Sequence, residues 1–170
     1  MKTLKYSIYT DGSSRGNPGP GGWAAIVMND ETETILEVYM AQEDHVTNNQ
    51  MELKAMLCAL QFAESHPDWE FIIYSDSAYV VNAYNDWIQG WARNGWKNSK
   101  KQIVENLSLM QALYTYITRE FFNAEVKKCK GHEGELGNEL ADALATNNIK
   151  KYKDLCSFWE VTDLSCLEDK

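Results

Sequence analysis

The spacing of apolar positions changes along the chain, and each change marks an element. Leu4 to Thr10 is rich in β-branched and aromatic residues and predicts a first strand. The turn Gly16-Asn17-Pro18-Gly19-Pro20-Gly21-Gly22 follows. Trp23 to Met28 and Thr34 to Met40 read as second and third strands, joined by the polar Asn29-Asp30-Glu31. From Asn48 to Ser65 the period lengthens. Met51, Ala55 and Ala59 fall on one helical face, and Leu53, Leu57 and Leu60 on the adjoining one. Phe71 to Tyr74 is short and continuously apolar, as suits a strand in the middle of a sheet. Tyr79 to Trp87 and Ile103 to Glu120 predict helices, Glu125 to Cys129 a last strand, and Leu136 to Ile149 the last full helix. From about Lys150 onward the helical pattern is lost, which predicts a C-terminal extension over residues 150–170. Three antiparallel strands followed by strands alternating with helices predict an α/β fold: a mixed five-stranded sheet flanked by helices.

Composition narrows the class. A chain of 170 residues, 44% of them hydrophobic, buries one good core and reads as a single domain. Its formal net charge of -9 gives no overall attraction to a polyanion, so any nucleic-acid binding must come from local patches. Cys58, Cys129, Cys156 and Cys166 are widely spaced, with no CxxC pair, and Cys58 reads as a small core residue. The first residues enter a strand pattern directly, with no signal-peptide apolar region, and no apolar run approaches membrane-spanning length. The expectation is a reduced, cytoplasmic protein with no membrane association, no obligate protein partner and a monomer as the default.

Candidate chemistry lies in four acidic residues. Asp11 sits in Tyr9-Thr10-Asp11-Gly12-Ser13, at the end of the first strand. Glu52 sits in Asn48-Asn49-Gln50-Met51-Glu52-Leu53, at the start of a helical pattern. Asp76 ends the run Phe71-Ile72-Ile73-Tyr74-Ser75-Asp76, and Asp142 lies in the helical Asn138-Glu139-Leu140-Ala141-Asp142-Ala143. Each suits a plain structural role when taken alone. Asp-Gly favours turns, an acid near a helix start favours its dipole, an Asp before a helix can cap it, and Asp142 suits a solvated helix face. Carboxylates at strand ends and early helical turns, however, converge at one edge of an α/β sheet. There they repel one another unless a divalent cation lies between them. The set points to metal-dependent phosphoryl chemistry.

The segments Thr10 to Ser13 (TDGS), Asn48 to Glu52 (NNxME), Ser75 to Ser77 (SDS) and Lys130 to His132 (KGH) stand here in the order found in type 1 ribonucleases H, and residues 4 to 149 resemble that bacterial-type family. The resemblance implies a ribonuclease H-like fold and a catalytic domain over residues 1–149. It implies an endonuclease that cuts the RNA strand of RNA–DNA hybrids, leaving 3′-hydroxyl and 5′-phosphate ends. It also implies two Mg²⁺ ions about 4 Å apart, replaceable by Mn²⁺, held by Asp11, Glu52, Asp76 and Asp142. Asp11 would be shared, Glu52 and Asp76 would complete one site, and Asp142 the other. A lone loop histidine is ordinarily just solvated, but the resemblance gives His132 a role in proton transfer or product release. The related exonucleases typically carry an acid two residues after the first aspartate, where this chain has Ser13. A non-catalytic hybrid-binding module would leave the carboxylates unexplained.

For substrate, the resemblance places Asn17, Asn48, Asn49 and Gln50 at the minor groove, where the 2′-hydroxyl distinguishes RNA. It places Thr47 at a DNA phosphate and Asn138 near the RNA. Simple turn and N-cap chemistry accounts well for Asn48 but not for the whole run. Ala78 stands where the family commonly has glutamine, which removes one minor-groove hydrogen bond. From Ile88 to Val104 there is no acid, while Arg93, Lys97, Lys100 and Lys101 are basic. With Trp87, Trp91 and Trp96, this segment resembles the family's basic protrusion, which grips the DNA strand. Helical spacing suits Trp87 and Trp91 to packing, whereas Trp96, after Gly95 and beside Lys97, suits sugar or base contact. Ala92 and Asn94 thin the handle at positions that are often basic. Lys127, Lys128 and Lys130 form a second basic stretch.

Overall fold

The computed structural model describes residues 3–119, 121–129 and 135–165, and its sheet is built outward from one strand. β1 (Lys5–Ser14) pairs antiparallel with β2 (Gly19–Asn29) and parallel with β4 (Glu70–Ser75). β3 (Thr34–Val46) continues the antiparallel side, and β5 (Asn123–Lys128) the parallel side. A short β6 (Thr162–Asp163) adds to β3, giving the order β5-β4-β1-β2-β3-β6. The fold is the expected α/β arrangement, antiparallel strands first and parallel ones after.

Both faces of the sheet are covered, which is why the inner strands read as almost continuously apolar. On one face Ile8, Ala25, Val27 and Ile73 pack beneath α1 (Asn48–Glu64), α2 (Ala78–Asn82), α3 (Ile88–Arg93) and α4 (Leu107–Ile117). On the other, Tyr9, Ala24, Ile26 and Ile35 pack beneath α5 (Leu136–Ala145) and α6 (Ile149–Phe158). Alternation along β1 thus sends Ile8 to one core and Tyr9 to the other. Among the described residues no helix is long and apolar enough to cross a membrane.

Several boundaries differ from the sequence reading. The sheet has six strands rather than five, because the chain returns after α6 to pair Thr162 and Asp163 with Thr34 and Ile35. Residues beyond Lys150 do not lose helical structure: α6 runs to Phe158, N-capped by Asn148, whose side chain accepts from the Lys151 N–H. The last helix of the sequence reading, Leu136 to Ile149, is two helices. α5 stops at Ala145, and Asn147 then takes a left-handed φ of 58°. α4 starts at Leu107 rather than Ile103, since Asn106 has φ 57° and Ile103 forms a bridge with Lys97 instead. The helix expected over Tyr79 to Trp87 extends to Arg93 through a π-helical turn, Ala83–Trp87.

Candidate active site

Strand register brings the first two carboxylates together. Thr10 of β1 pairs in parallel with Ser75 of β4, and the Thr10 hydroxyl donates to the Tyr74 carbonyl at 2.8 Å. Asp11 and Asp76 are the next residues of each strand path, so both lie just past the same end of the β1–β4 ladder. Asp11 is no turn residue, being paired with Ala24 inside β1. Asp76 is no cap, since Ser77 caps α2 by accepting from the Val80 N–H. Glu52 lies past the first turn of α1, which contains no acidic residue, so the helix dipole does not explain it. α1 carries Glu52 against β1 because Gly12 has no side chain to hold the helix away.

The result is a cluster in which carboxylate oxygens of Asp11, Glu52 and Asp76 lie within 4.8 Å of one another. Asp11 and Glu52 are buried, and Glu52 Oε1 has no hydrogen-bond partner. Burial first, then the facing Asp76 and Asp142, push Asp11 up to about 8, opposed by a hydrogen bond from the Gly12 backbone. Burial first, then Asp11 and Asp76, push Glu52 up to about 10. Without a cation the cluster therefore keeps protons at neutral pH. An orphaned buried oxygen facing two more carboxylates is a donor set for a hard divalent ion, which binds oxygen and neutralises like charges.

Asp142 reaches the cluster from α5. That helix lies flat on the Tyr9 ring, where a Cβ on Gly137 would meet the ring at 2.2 Å. The ring is stacked on Tyr74, and its hydroxyl donates to Asp30 at 3.1 Å. Asp142 faces Asp11, and its side chain is 49% exposed with Lys151 Nζ 3.7 Å from Oδ2. Asn138 is buried, with Oδ1 accepting from Cys129 Sγ at 3.5 Å, which ties the start of α5 to the residue after β5. His132 and Lys130 lie outside the described residues.

The glycine-rich turn and the start of α1 are tied side by side. Asn17 Oδ1 accepts from the Asn48 N–H at 2.9 Å, and Asn48 Oδ1 accepts from the Ser14 N–H at 2.6 Å. The helix cap is Thr47, not Asn48. Thr47 Oγ1 accepts from the Gln50 N–H and Gln50 Oε1 accepts from the Thr47 N–H, a reciprocal capping box. Asn17 and Asn48 are exposed and Asn49 is half-buried next to them. Arg15, to which the sequence pattern assigned no role, is exposed in the same turn and lines a groove with Ser13, Gln42 and Asn147. Its only signal was a cation two residues from Asn17.

In the basic segment, the Trp87 and Trp91 rings lie 5.9 Å apart and tilted at 49°, with Tyr79 edge-on at 6.0 Å from Trp87. Trp96 is half-buried and packs edge-on against Tyr114. Lys97, Lys100 and Lys101 are exposed in the loop that follows.

The ribonuclease H family model matches residues 4–150. The chain is 46% identical over 144 residues to a ribonuclease H of Syntrophomonas wolfei, covering 84% of this chain and 94% of that protein. It is 40% identical over 148 residues to a ribonuclease H of Legionella pneumophila, covering 87% and 99%. Among solved structures, LC9-RNase H1, described as a type 1 RNase H with the type 2 active-site motif, is similar at TM-score 0.68 and 27% identity, covering 91% of this chain and 75% of that one. The PFV RNase H domain shares the fold at TM-score 0.73 and 24% identity, covering 87% and 96%.

Proposed function

The chain belongs to the ribonuclease H family, and on that premise we propose that it is a Mg²⁺-dependent endonuclease hydrolysing the RNA strand of RNA–DNA hybrids to 3′-hydroxyl and 5′-phosphate ends. The observation that carries this reading is the trio Asp11, Glu52 and Asp76, with oxygens within 4.8 Å and Glu52 Oε1 unpartnered. A pair of divalent ions, when bound, supplies an activated water and charge for the departing oxygen.

The chain's own residues supply the rest. Asp11, Glu52 and Asp76 would hold one divalent ion, and Asp11 with Asp142 would hold the other. His132, between β5 and α5 in the sequence, moves a proton or releases product. Asn17, Asn48, Asn49 and Gln50 read the minor groove, where only RNA presents a 2′-hydroxyl. Thr47 contacts a DNA phosphate, and Asn138 acts near the RNA by fixing the start of α5. Trp87, Trp91, Trp96, Lys97, Lys100 and Lys101 hold the DNA strand. The absence of acids from Ile88 to Val104 matters, because fields beyond about 10 Å are screened at ordinary salt and the chain's overall acidity then counts for little. The ribonuclease H unit is read as residues 1–149, with 150–170 appended, and the working state as a monomer.

The test uses an end-labelled RNA–DNA hybrid, an RNA duplex and a DNA duplex, each with Mg²⁺ or EDTA. Internal cuts confined to the hybrid's RNA strand, and only with Mg²⁺, support the reading. Trimming from ends indicates an exonuclease, and binding without cleavage a hybrid-binding module.

A further inference from the structure

α6 brings a cation to the metal cluster. Lys151 Nζ lies 3.7 Å from Asp142 Oδ2, and the two side chains are 47% and 49% exposed. The neighbouring Lys150 is used differently, with Nζ 2.7 Å from Asp154 one turn along the same helix. The backbone of Lys151 is held in place by what surrounds it. Its backbone N–H is taken by the Asn148 cap, and the Asn148 N–H donates to the Ala143 carbonyl at 2.7 Å. The next residue, Tyr152, is buried against β2 and α5, and its hydroxyl donates to Asp163 Oδ2 at 2.7 Å. Asp163 belongs to β6, which is paired with β3. The α6–β6 unit is therefore clipped to the sheet edge and to α5, which holds the Lys151 backbone within side-chain reach of Asp142.

We propose that Lys151 is a positioning residue that occupies the Asp142 carboxylate when the second metal subsite is empty and so weakens divalent-ion binding there. This rests on the assignment of Asp142 as a metal ligand. An incoming ion must displace the ammonium from Asp142 or bind beside it, and both lower its affinity, through the broken ion pair or through like-charge repulsion. The Asp11–Glu52–Asp76 subsite has no such competitor among the described residues; its oxygens face one another. The two subsites consequently fill at different divalent concentrations, and the segment after residue 149 sets the difference. Because an exposed ion pair contributes modestly, the effect on the equilibrium constant is about two- to fivefold.

Free Mn²⁺ measured by electron paramagnetic resonance during titration of the metal-free protein tests this without substrate. Binding dependent on Asp142 is the difference between the parent and Asp142→Asn. In Lys151→Gln that component is expected about two- to fivefold tighter, in Lys151→Arg close to the parent, and in Asp142→Asn/Lys151→Gln the same as in Asp142→Asn alone. Circular dichroism melts verify that Lys151→Gln is folded, as expected for an exposed side chain. An unchanged or weaker Asp142-dependent component in folded Lys151→Gln overturns the proposal. So does the same tightening when Asp142 is already Asn, which would reflect general charge rather than the pair. A parent that binds no Mn²⁺, or binds it identically with Asp11→Asn, overturns the metal-site assignment itself. That outcome is distinct from a parent that binds Mn²⁺ but does not respond to Lys151.

Discussion

A Cβ built on Gly12 would lie 2.3 Å from the backbone nitrogen of Glu52. Backbone meets backbone at this point, so neither side can move a flexible tip aside. The close approach sets how near α1 stands to β1, and therefore how near Glu52 comes to Asp11. Gly12→Ala should push the helix outward and lower stability by about 1–3 kcal/mol, the range for overpacking. Its effect on Mn²⁺ affinity should be larger than that of Gly90→Ala, a position with nothing within 4 Å. Denaturant titration and metal titration of the two variants measure both quantities.

Neutralising one member of the cluster should stabilise the metal-free protein. Burial, and then repulsion, raise Asp11 to about 8 and Glu52 to about 10. The unfolded chain ionises these groups near pH 4. Between that value and the raised ones the folded state holds more protons, so stability is fullest at the low end and falls as pH climbs through the window. In EDTA, Asp11→Asn is expected to be more stable than the parent by about 1 kcal/mol at neutral pH. Its melting temperature should also fall less between pH 6 and 9. A variant that melts below the parent would show that Asp11 makes structural hydrogen bonds that outweigh the repulsion.

The cap of α1 is a second stability test. Thr47→Ala removes the acceptor of the Gln50 N–H and should cost about 1 kcal/mol. Asn48→Ala, which removes an exposed hydrogen bond to Ser14, should cost less in the same denaturant titration. The reverse order would return the capping role to Asn48.

Substrate grip is expected to depend on the basic loop. Replacing Lys97, Lys100 and Lys101 together with alanine should raise the KM for hybrid. It should also flatten the slope of log affinity against log salt by about 0.9 for each phosphate that is no longer neutralised. Trp96→Ala should weaken binding with little change in that slope, because its ring packs on Tyr114 and carries no charge. A triple variant that binds like the parent across a salt titration would shift the assignment to Lys127 and Lys128.

What could be read from the sequence follows physical range. Asp11 and Asp76 were legible because each follows an apolar run, and parallel register then places the ends of those runs together. α1 was legible because its buried residues recur over a long, uninterrupted helix. α6 was not, because its buried face is only Tyr152 with the half-buried Ile149, Leu155 and Cys156, set among lysines. A two-residue strand such as β6 has no alternation to detect, and exists only because β3 offers an edge. The π-helical turn changes the helical phase between Val81 and Ile88, which no fixed period follows. Lys151 stayed hidden for the same reason as α6: its partner Asp142 was visible, but the turn that returns the chain to it was not.

The most direct test of the metal-dependent site is the cleavage rate of an RNA–DNA hybrid at saturating Mg²⁺ by the parent, Asp11→Asn and Asp76→Asn, each verified as folded. Both changes preserve side-chain size and remove the charge that an ion requires. Internal cleavage of the RNA strand by the parent, and its loss in both variants, is the expected result. Near-parental turnover in either variant would contradict the assignment of the Asp11–Glu52–Asp76 cluster as the catalytic metal site.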